Sequence, residues 1–348
     1  MRKTILFGLI LIIATIGFIS CEKKAAFPVA GSATAENMLT LIPSDVKGVV
    51  SIDLHRVMET ELVRKMIEEQ EGFQEIQKFT EKTGIDPQKD IYYVTIGITG
   101  GFDQKSAEGV GIINLKYDKE GLLALLQEEA GDMTVSEYEG FTLYMVEEDM
   151  DDKYEEDDLE LEEGEEKGDD GEEIYFTFLD ASNIAAGSEV EVKKVLDVFQ
   201  KKADNVLKNE ELKPLLARVN KNAMFWSTFQ LPPELMDEAA SENPMLSNLK
   251  GLNSLALYFD YKNKNIIAEI LVLSDDEEQN KETEDFLNGI KGLGGMVSGE
   301  KPEIGELINK IEISSGADYV KVYASVPEEL INSILEKEKA EPDTEEIE

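Results

Sequence analysis

The sequence predicts an α+β fold of two similar units, each a mostly antiparallel sheet covered by helices. Three observations predict it. Short β-branched runs alternate with amphipathic stretches of helical period. The links between paired runs are short turns, the kind that join antiparallel neighbours rather than parallel ones. The order of elements then starts again in the second half, which points to an internal duplication at roughly 170-residue spacing, far longer than solenoid repeats. With 348 residues, 42% of them hydrophobic, the chain can bury a core in each of two domains.

The first unit is expected over residues 38–205. Val49 to Leu54 (VVSIDL) is apolar and β-branched and reads as a strand. Asp53 then caps a helix running towards Phe79, with Val57, Met58, Leu62, Met66 and Ile76 near one face and Gly72 as a break. Gly84-Ile85-Asp86-Pro87 is a turn. Ile91 to Ile98 and Gly109 to Leu115 form a strand pair across a glycine-rich loop, and Asp118 caps a leucine-rich helix. Thr134 to Tyr138 and Phe141 to Val146 make a hairpin around Glu139-Gly140. Ile174 to Leu179 is a further strand, and Glu189 to Lys201 an amphipathic helix with Val192, Val195, Leu196 and Phe199 inward.

The division falls between Asp204 and Asn222, near a helix carrying Leu212, Leu215 and Leu216, and the second unit is expected over 206–337. Ala223 to Leu231 is a strand, and Pro232-Pro233-Glu234 starts a helix with proline in its first turn. Leu252 to Tyr261 and Ile266 to Leu273 flank a Lys262-Asn263-Lys264-Asn265 hairpin turn. A helix opens at Asp275-Asp276-Glu277. Ile308 to Ser314 and Tyr319 to Ser325 are strands, and Pro327 starts the last helix. Residues 338–348 read as an acidic disordered tail.

The N-terminus carries a different signal. Arg2 and Lys3 precede an apolar run from Thr4 to Ile19, and Ser20 and Cys21 follow it. Those sixteen residues fall short of the roughly 20 that a spanning helix needs. A basic start, an apolar stretch and a small residue before a cut make an export signal. An uncleaved membrane helix is the alternative, and only length separates the two. Phe18-Ile19-Ser20-Cys21 resembles the lipobox of bacterial lipoproteins, with Phe18 where such proteins usually carry leucine. The resemblance implies that a signal peptide of residues 1–20 is cut off between Ser20 and Cys21. It also implies that the Cys21 thiol takes a diacylglycerol and that the mature protein sits in the cell envelope. Cys21 is the chain's single cysteine, so no internal disulfide forms. Residues 21–37 are then a lipidated cysteine and a flexible tether, with packing along the body through Phe27 and Val29 as the alternative.

The formal net charge is −40. A body this acidic repels polyphosphate, because nucleic-acid binding rests on Lys and Arg displacing counterions. The densest charge is an insertion at 147–173, with eighteen acidic residues against two lysines. It buries too little apolar surface to offset its ordering entropy and is expected to be disordered. Read as a calcium loop from Asp149, it places Lys153 at the fifth position and Tyr154 where a glycine belongs. Diffuse, low-affinity binding of divalent cations stays open.

Catalytic patterns are sparse. His55 is the only histidine, with Ser51 and Asp53 close by in sequence but on alternate strand positions. Asp53, His55 and Glu59 suit a helix cap and two solvated side chains better than a ligand cluster. One histidine and a lipidated cysteine exclude a Cys/His zinc site. Gly100-Gly101 and Gly292-Leu293-Gly294-Gly295 lack the lysine and serine or threonine of a phosphate loop and read as turns and a helix end. Trp226, Phe225 and Phe229 form an aromatic cluster, core by default and a sugar or peptide platform as the alternative. With 74 acidic residues, paired-carboxylate hydrolysis stays open, because the pair distance is a three-dimensional quantity. No catalytic, cofactor-binding or metal residue emerges, and no cofactor.

Ile42-Pro43-Ser44-Asp45 leading into Val49 to Leu54, with Gly84-Ile85-Asp86-Pro87 and Asp90 ahead of a strand, resembles a group of exported bacterial proteins of unknown function. The resemblance spans roughly residues 40 to 115 and implies an exported, often duplicated α+β domain. The expectation is therefore a lipid-anchored cell-envelope protein, binding or structural rather than enzymatic. Its partners would be the membrane through its N-terminal lipid, another envelope protein, and no nucleic acid. A carboxylate-based hydrolase of envelope polymer and a divalent-cation binder are the alternatives. Oligomeric state and the choice of membrane are not legible.

Overall fold

The computed structural model describes residues 29–61, 63–64, 67, 72–100, 108–129, 133–148, 172–232, 241, 252–297 and 302–340. The chain divides into two compact units, one ending at Asn209 and one starting at Glu210. The boundary follows Asn209 rather than 205, because the 3-10 turn Val206–Lys208 is tied into the first unit. Val206 N–H donates to the Ile42 carbonyl, and the Asn209 side chain donates to the carbonyls of Ser44 and Val46.

The first unit runs α1 (Ala35–Leu39), β1 (Gly48–Asp53), α2 (Leu54–Glu59), α3 (Gly72–Thr83), α4 (Pro87–Asp90), β2 (Ile91–Ile98), β3 (Gly109–Leu115), α5 (Lys119–Glu129), β4 (Thr134–Tyr138), β5 (Phe141–Glu148), β6 (Glu172–Phe178), β7 (Asn183–Gly187) and α6 (Glu189–Phe199). Its strands lie in the order β1-β2-β3-β7-β6-β5-β4, every pair antiparallel. On one face Ile113, Leu115, Phe176, Ile184 and Val146 meet Phe79 of α3 and Leu122, Leu125 and Leu126 of α5. On the other, α6 lays Val192, Val195 and Leu196 over β3, β7 and β6. Phe141 meets Phe199 edge-on at 5.8 Å, and Tyr138 donates to Asp197 at 3.2 Å. Gly97 admits the segment after α1: a Cβ there would lie 2.8 Å from Val46 Cγ1 and 2.9 Å from Ile42 Cγ2.

Three expectations need correction here. Thr34 caps α1 through a reciprocal bond with Asn37, and Ala35, Met38 and Leu39 are buried. The tether therefore stops short of Ala35 rather than reaching residue 37. The acidic insertion is narrower than 147–173, because Glu147 pairs Glu173 and Glu148 pairs Glu172 in the β5–β6 ladder. Backbone pairing carries those positions into the sheet. The remainder of the insertion lies outside the described residues. Asn183–Gly187, which the sequence reading gives no element, is a central strand.

The second unit runs α7 (Lys213–Arg218), β8 (Phe225–Gln230), β9 (Ser254–Lys262), β10 (Asn265–Leu273), α8 (Glu277–Val297), α9 (Pro302–Asn309), β11 (Ile311–Gly316), β12 (Tyr319–Pro327) and α10 (Glu328–Ala340). Its strand order is β8-β9-β10-β12-β11, again antiparallel throughout. Asn263 and Lys264 join β9 to β10 with φ of 53° and 59°, the left-handed pair of a tight hairpin turn. The two units share one plan. In each, three successive strands lie side by side, the last strand pairs with the third, and its hairpin partner lies outside it. The first unit adds the β4–β5 hairpin at its edge.

Gly292-Leu293-Gly294-Gly295 lies in the last turns of α8, the helix end its glycines suggest. The glycine at 294 lets α9 approach, since a Cβ there would meet Ile308 at 3.2 Å. Here too the chain departs from its reading. Residues 302–309 form α9 where a strand from Ile308 was expected. The last helix runs to Ala340, so the acidic tail begins later than 338. The helix expected at Pro232-Pro233-Glu234 lies outside the described residues.

Candidate functional site

Ser20, Cys21 and the apolar run before them lie outside the described residues, as do positions 149–171 of the acidic insertion. Two clusters of polar side chains can be built from the residues upward.

The first surrounds His55. Asp53 ends β1 and caps α2, accepting from Arg56 N–H at 3.1 Å and from the Tyr93 hydroxyl at 2.9 Å. Burial, and then the Asp53 charge, push the Tyr93 phenol far above its usual range. Ser51 shares a hydrogen bond with Thr95 at 3.0 Å, both buried. His55 stands on α2, with Nε2 3.5 Å from Glu59 and its ring 5.3 Å from Tyr92. Ser51 thus pairs with Thr95, Asp53 accepts from Tyr93 and Arg56, and no serine–histidine hydrogen bond forms among the described residues. The same sheet face continues the ladder. Asn114 donates to Asn183 at 2.8 Å, and Asn183 to Asp180 at 2.9 Å. Nothing in the sequence pattern marks this row, because it exists only through the registers Asp53↔Tyr93↔Asn114↔Asn183.

The second cluster is a row across the sheet of the second unit. Trp226, Tyr258, Glu269, Tyr323 and Glu312 are successive cross-strand neighbours, so their side chains share one face. Trp226 is buried at 1% exposure, with its indole N–H unpartnered, while Phe225 and Phe229 point to the opposite face. The aromatic cluster read from sequence is therefore split between two faces, and Trp226 is core. Tyr258, Glu269, Tyr323 and Lys321 are half-buried. Among the described residues no hydrogen bond or ion pair holds the Glu269 carboxyl, either tyrosine hydroxyl or the Lys321 ammonium.

Burial raises the Glu269 carboxyl above its ordinary value, and Lys321 offsets part of the effect. The Tyr258 phenol is pushed up to about 12 by burial and then by Glu269, Tyr323 and Asp260. Helix α8 lies on the other face, where Ser315 donates to Glu284 at 2.6 Å. Helix α7 packs on β9 at the far end, where Gln230 donates to the Glu211 carbonyl and Arg218 pairs with Asp318. The row thus holds rigidly spaced donors and acceptors that the fold leaves unused. That is what a binding surface requires, since the backbones of β9, β10 and β12 are each fixed by a ladder on both sides.

Among the described residues no group of three or more His, Cys, Asp or Glu is placed to hold a metal ion, and no helix is long and apolar enough to cross a membrane. No family model matches the chain, and no curated protein matches it. Solved structures similar to it include crystal forms I and III of TP0453, each at 12% identity. The first has a TM-score of 0.43, covering 86% of this chain and 96% of that one, and the second 0.42, covering 86% and 97%. Likeness at this level assigns neither a family nor an activity.

Proposed function

We propose that the chain is a lipid-anchored cell-envelope protein that binds another envelope component and performs no nucleophilic chemistry. One observation carries the reading: a basic start, a sixteen-residue apolar run and Ser20-Cys21, in a chain with no other cysteine. Two acyl chains on one thiol suffice for stable anchoring, at about 0.8 kcal/mol per buried methylene. A lone thiol spent on lipid also leaves the exported body without one to oxidise.

The folded body supports binding over Ser-His-Asp hydrolysis. Ser51 and Asp53 satisfy their neighbours in the sheet, while unused polar valences gather on the second unit's open row. The net charge of −40 keeps nucleic acid and anionic headgroups at a distance. Replacing Cys21 by serine tests the anchor. The wild type is expected in the membrane fraction as a shortened, lipid-bearing chain, and Cys21→Ser in the soluble fraction or as uncut precursor. Identical fractionation and identical size of the two would refute the anchor.

A further inference from the structure

We propose that Tyr258, Glu269, Tyr323 and Lys321 form a binding surface for a neutral, hydroxyl-rich glycan. This names the ligand class for the envelope-binding reading above and rests on it. Four properties of the row select that chemistry over others.

The first is valence. Tyrosine hydroxyls donate and accept, the Lys321 ammonium only donates, and an ionised Glu269 only accepts. A sugar hydroxyl both donates and accepts, so it can meet each of these groups in turn. The second is geometry. The row crosses strands β9, β10 and β12, and neighbouring strands lie about 4.8 Å apart. Tyr258 and Tyr323 therefore stand roughly 10 Å apart with Glu269 between them, a span that an extended chain of rings can follow. The third is surface character, since tyrosine offers an apolar body with a polar tip.

The fourth is charge. Glu269 in the row opposes a polyanion, as does the chain's net charge of −40. A free ammonium ligand meets Lys321, which already stands diagonally across from Glu269. An uncharged polyol avoids both penalties. The corresponding row of the first unit shows the alternative fate of such groups: Tyr93 donates to Asp53, and Asn114 donates to Asn183 and to the Ser182 carbonyl.

The test is calorimetric titration of the detergent-purified full chain with an uncharged hexasaccharide of β-1,4-linked N-acetylglucosamine, and separately with heparin. The wild type is expected to bind the hexasaccharide and not heparin. Tyr323→Ala is expected to weaken binding about tenfold, the loss of one aromatic contact. Tyr323→Phe keeps the ring and the packing, so it reads the hydroxyl independently of any loss of fold in the alanine variant. It is expected to weaken binding about threefold through the lost hydroxyl. No binding by the wild type, tighter binding of heparin, or unchanged affinity in Tyr323→Phe would each overturn the proposal. The measurement does not depend on lipid at Cys21, so its failure leaves the anchor standing, and failure of the anchor leaves the surface standing.

Discussion

The two units build the same strand order and close it differently. In the first, helices cover both faces, and β3 and β7 are buried along most of their length. In the second, α8 packs on β11 and β12, α9 on β11, α10 on β12 and α7 on β9. The central strand β10 is mostly half-exposed, and Ile270 and Phe259 on the face opposite Glu269 reach 44% exposure. Polar groups follow the same division. In the first unit's sheet Asp53, Tyr93, Asn114 and Asn183 hydrogen-bond in turn, and an unsatisfied buried partner costs about 1–3 kcal/mol. In the second unit Tyr258, Glu269 and Tyr323 are half-buried and hold no partner among the described residues, although Trp226, Ser227 and Thr228 of β8 beside them are buried. A repeated topology thus yields one unit whose central strands are buried and one whose central strand stays half-exposed.

Truncating the core sharpens that comparison most. Phe176→Ala, at 0% exposure between α5 and the sheet, should cost about 3–5 kcal/mol in urea unfolding. Ile270→Ala in the second unit should cost about 1 kcal/mol or less, because its side chain is already partly in water. Equal losses would break the division into closed and open units.

A smaller effect follows from Glu269. Its folded carboxyl titrates above the ordinary 4.5, so the folded state binds more protons than the unfolded state between the two values. Stability from this group is therefore present at low pH and declines as pH rises from 4.5 through the raised value. Glu269→Gln removes the decline. Its thermal midpoint should match wild type in acid and exceed it at neutral pH. A wild type that gains on the glutamine variant as pH rises would show a carboxylate stabilised by a charge partner instead.

Much of this was legible in the sequence, and the exceptions have physical causes. The hairpins at Glu139-Gly140 and at 262–265, the Asp53 cap and the Asp118 cap of α5 were readable, because turn and cap chemistry is local. Strand β7 was not, because Asn183-Ile184-Ala185-Ala186-Gly187 is short, alanine-rich and buried on both faces, so it shows no alternation. Helix α9 hid because Ile304, Leu307 and Ile308 run straight into the β-branched start of β11. Acidic composition misled at Glu172 and Glu173, which pair in the β5–β6 ladder. The candidate row was illegible for a deeper reason. Only the registers Glu269↔Tyr258 and Glu269↔Tyr323 single out one carboxylate among 74, and register is a property of the folded sheet.

Hydrogen exchange on the intact chain tests the closed-and-open division most directly, because protection reports the free energy of local opening. Amides of β3 and β7 should be the last to exchange, and those of β9 and β10 should exchange well before them. Protection of β10 equal to or longer than that of β3 would contradict the account.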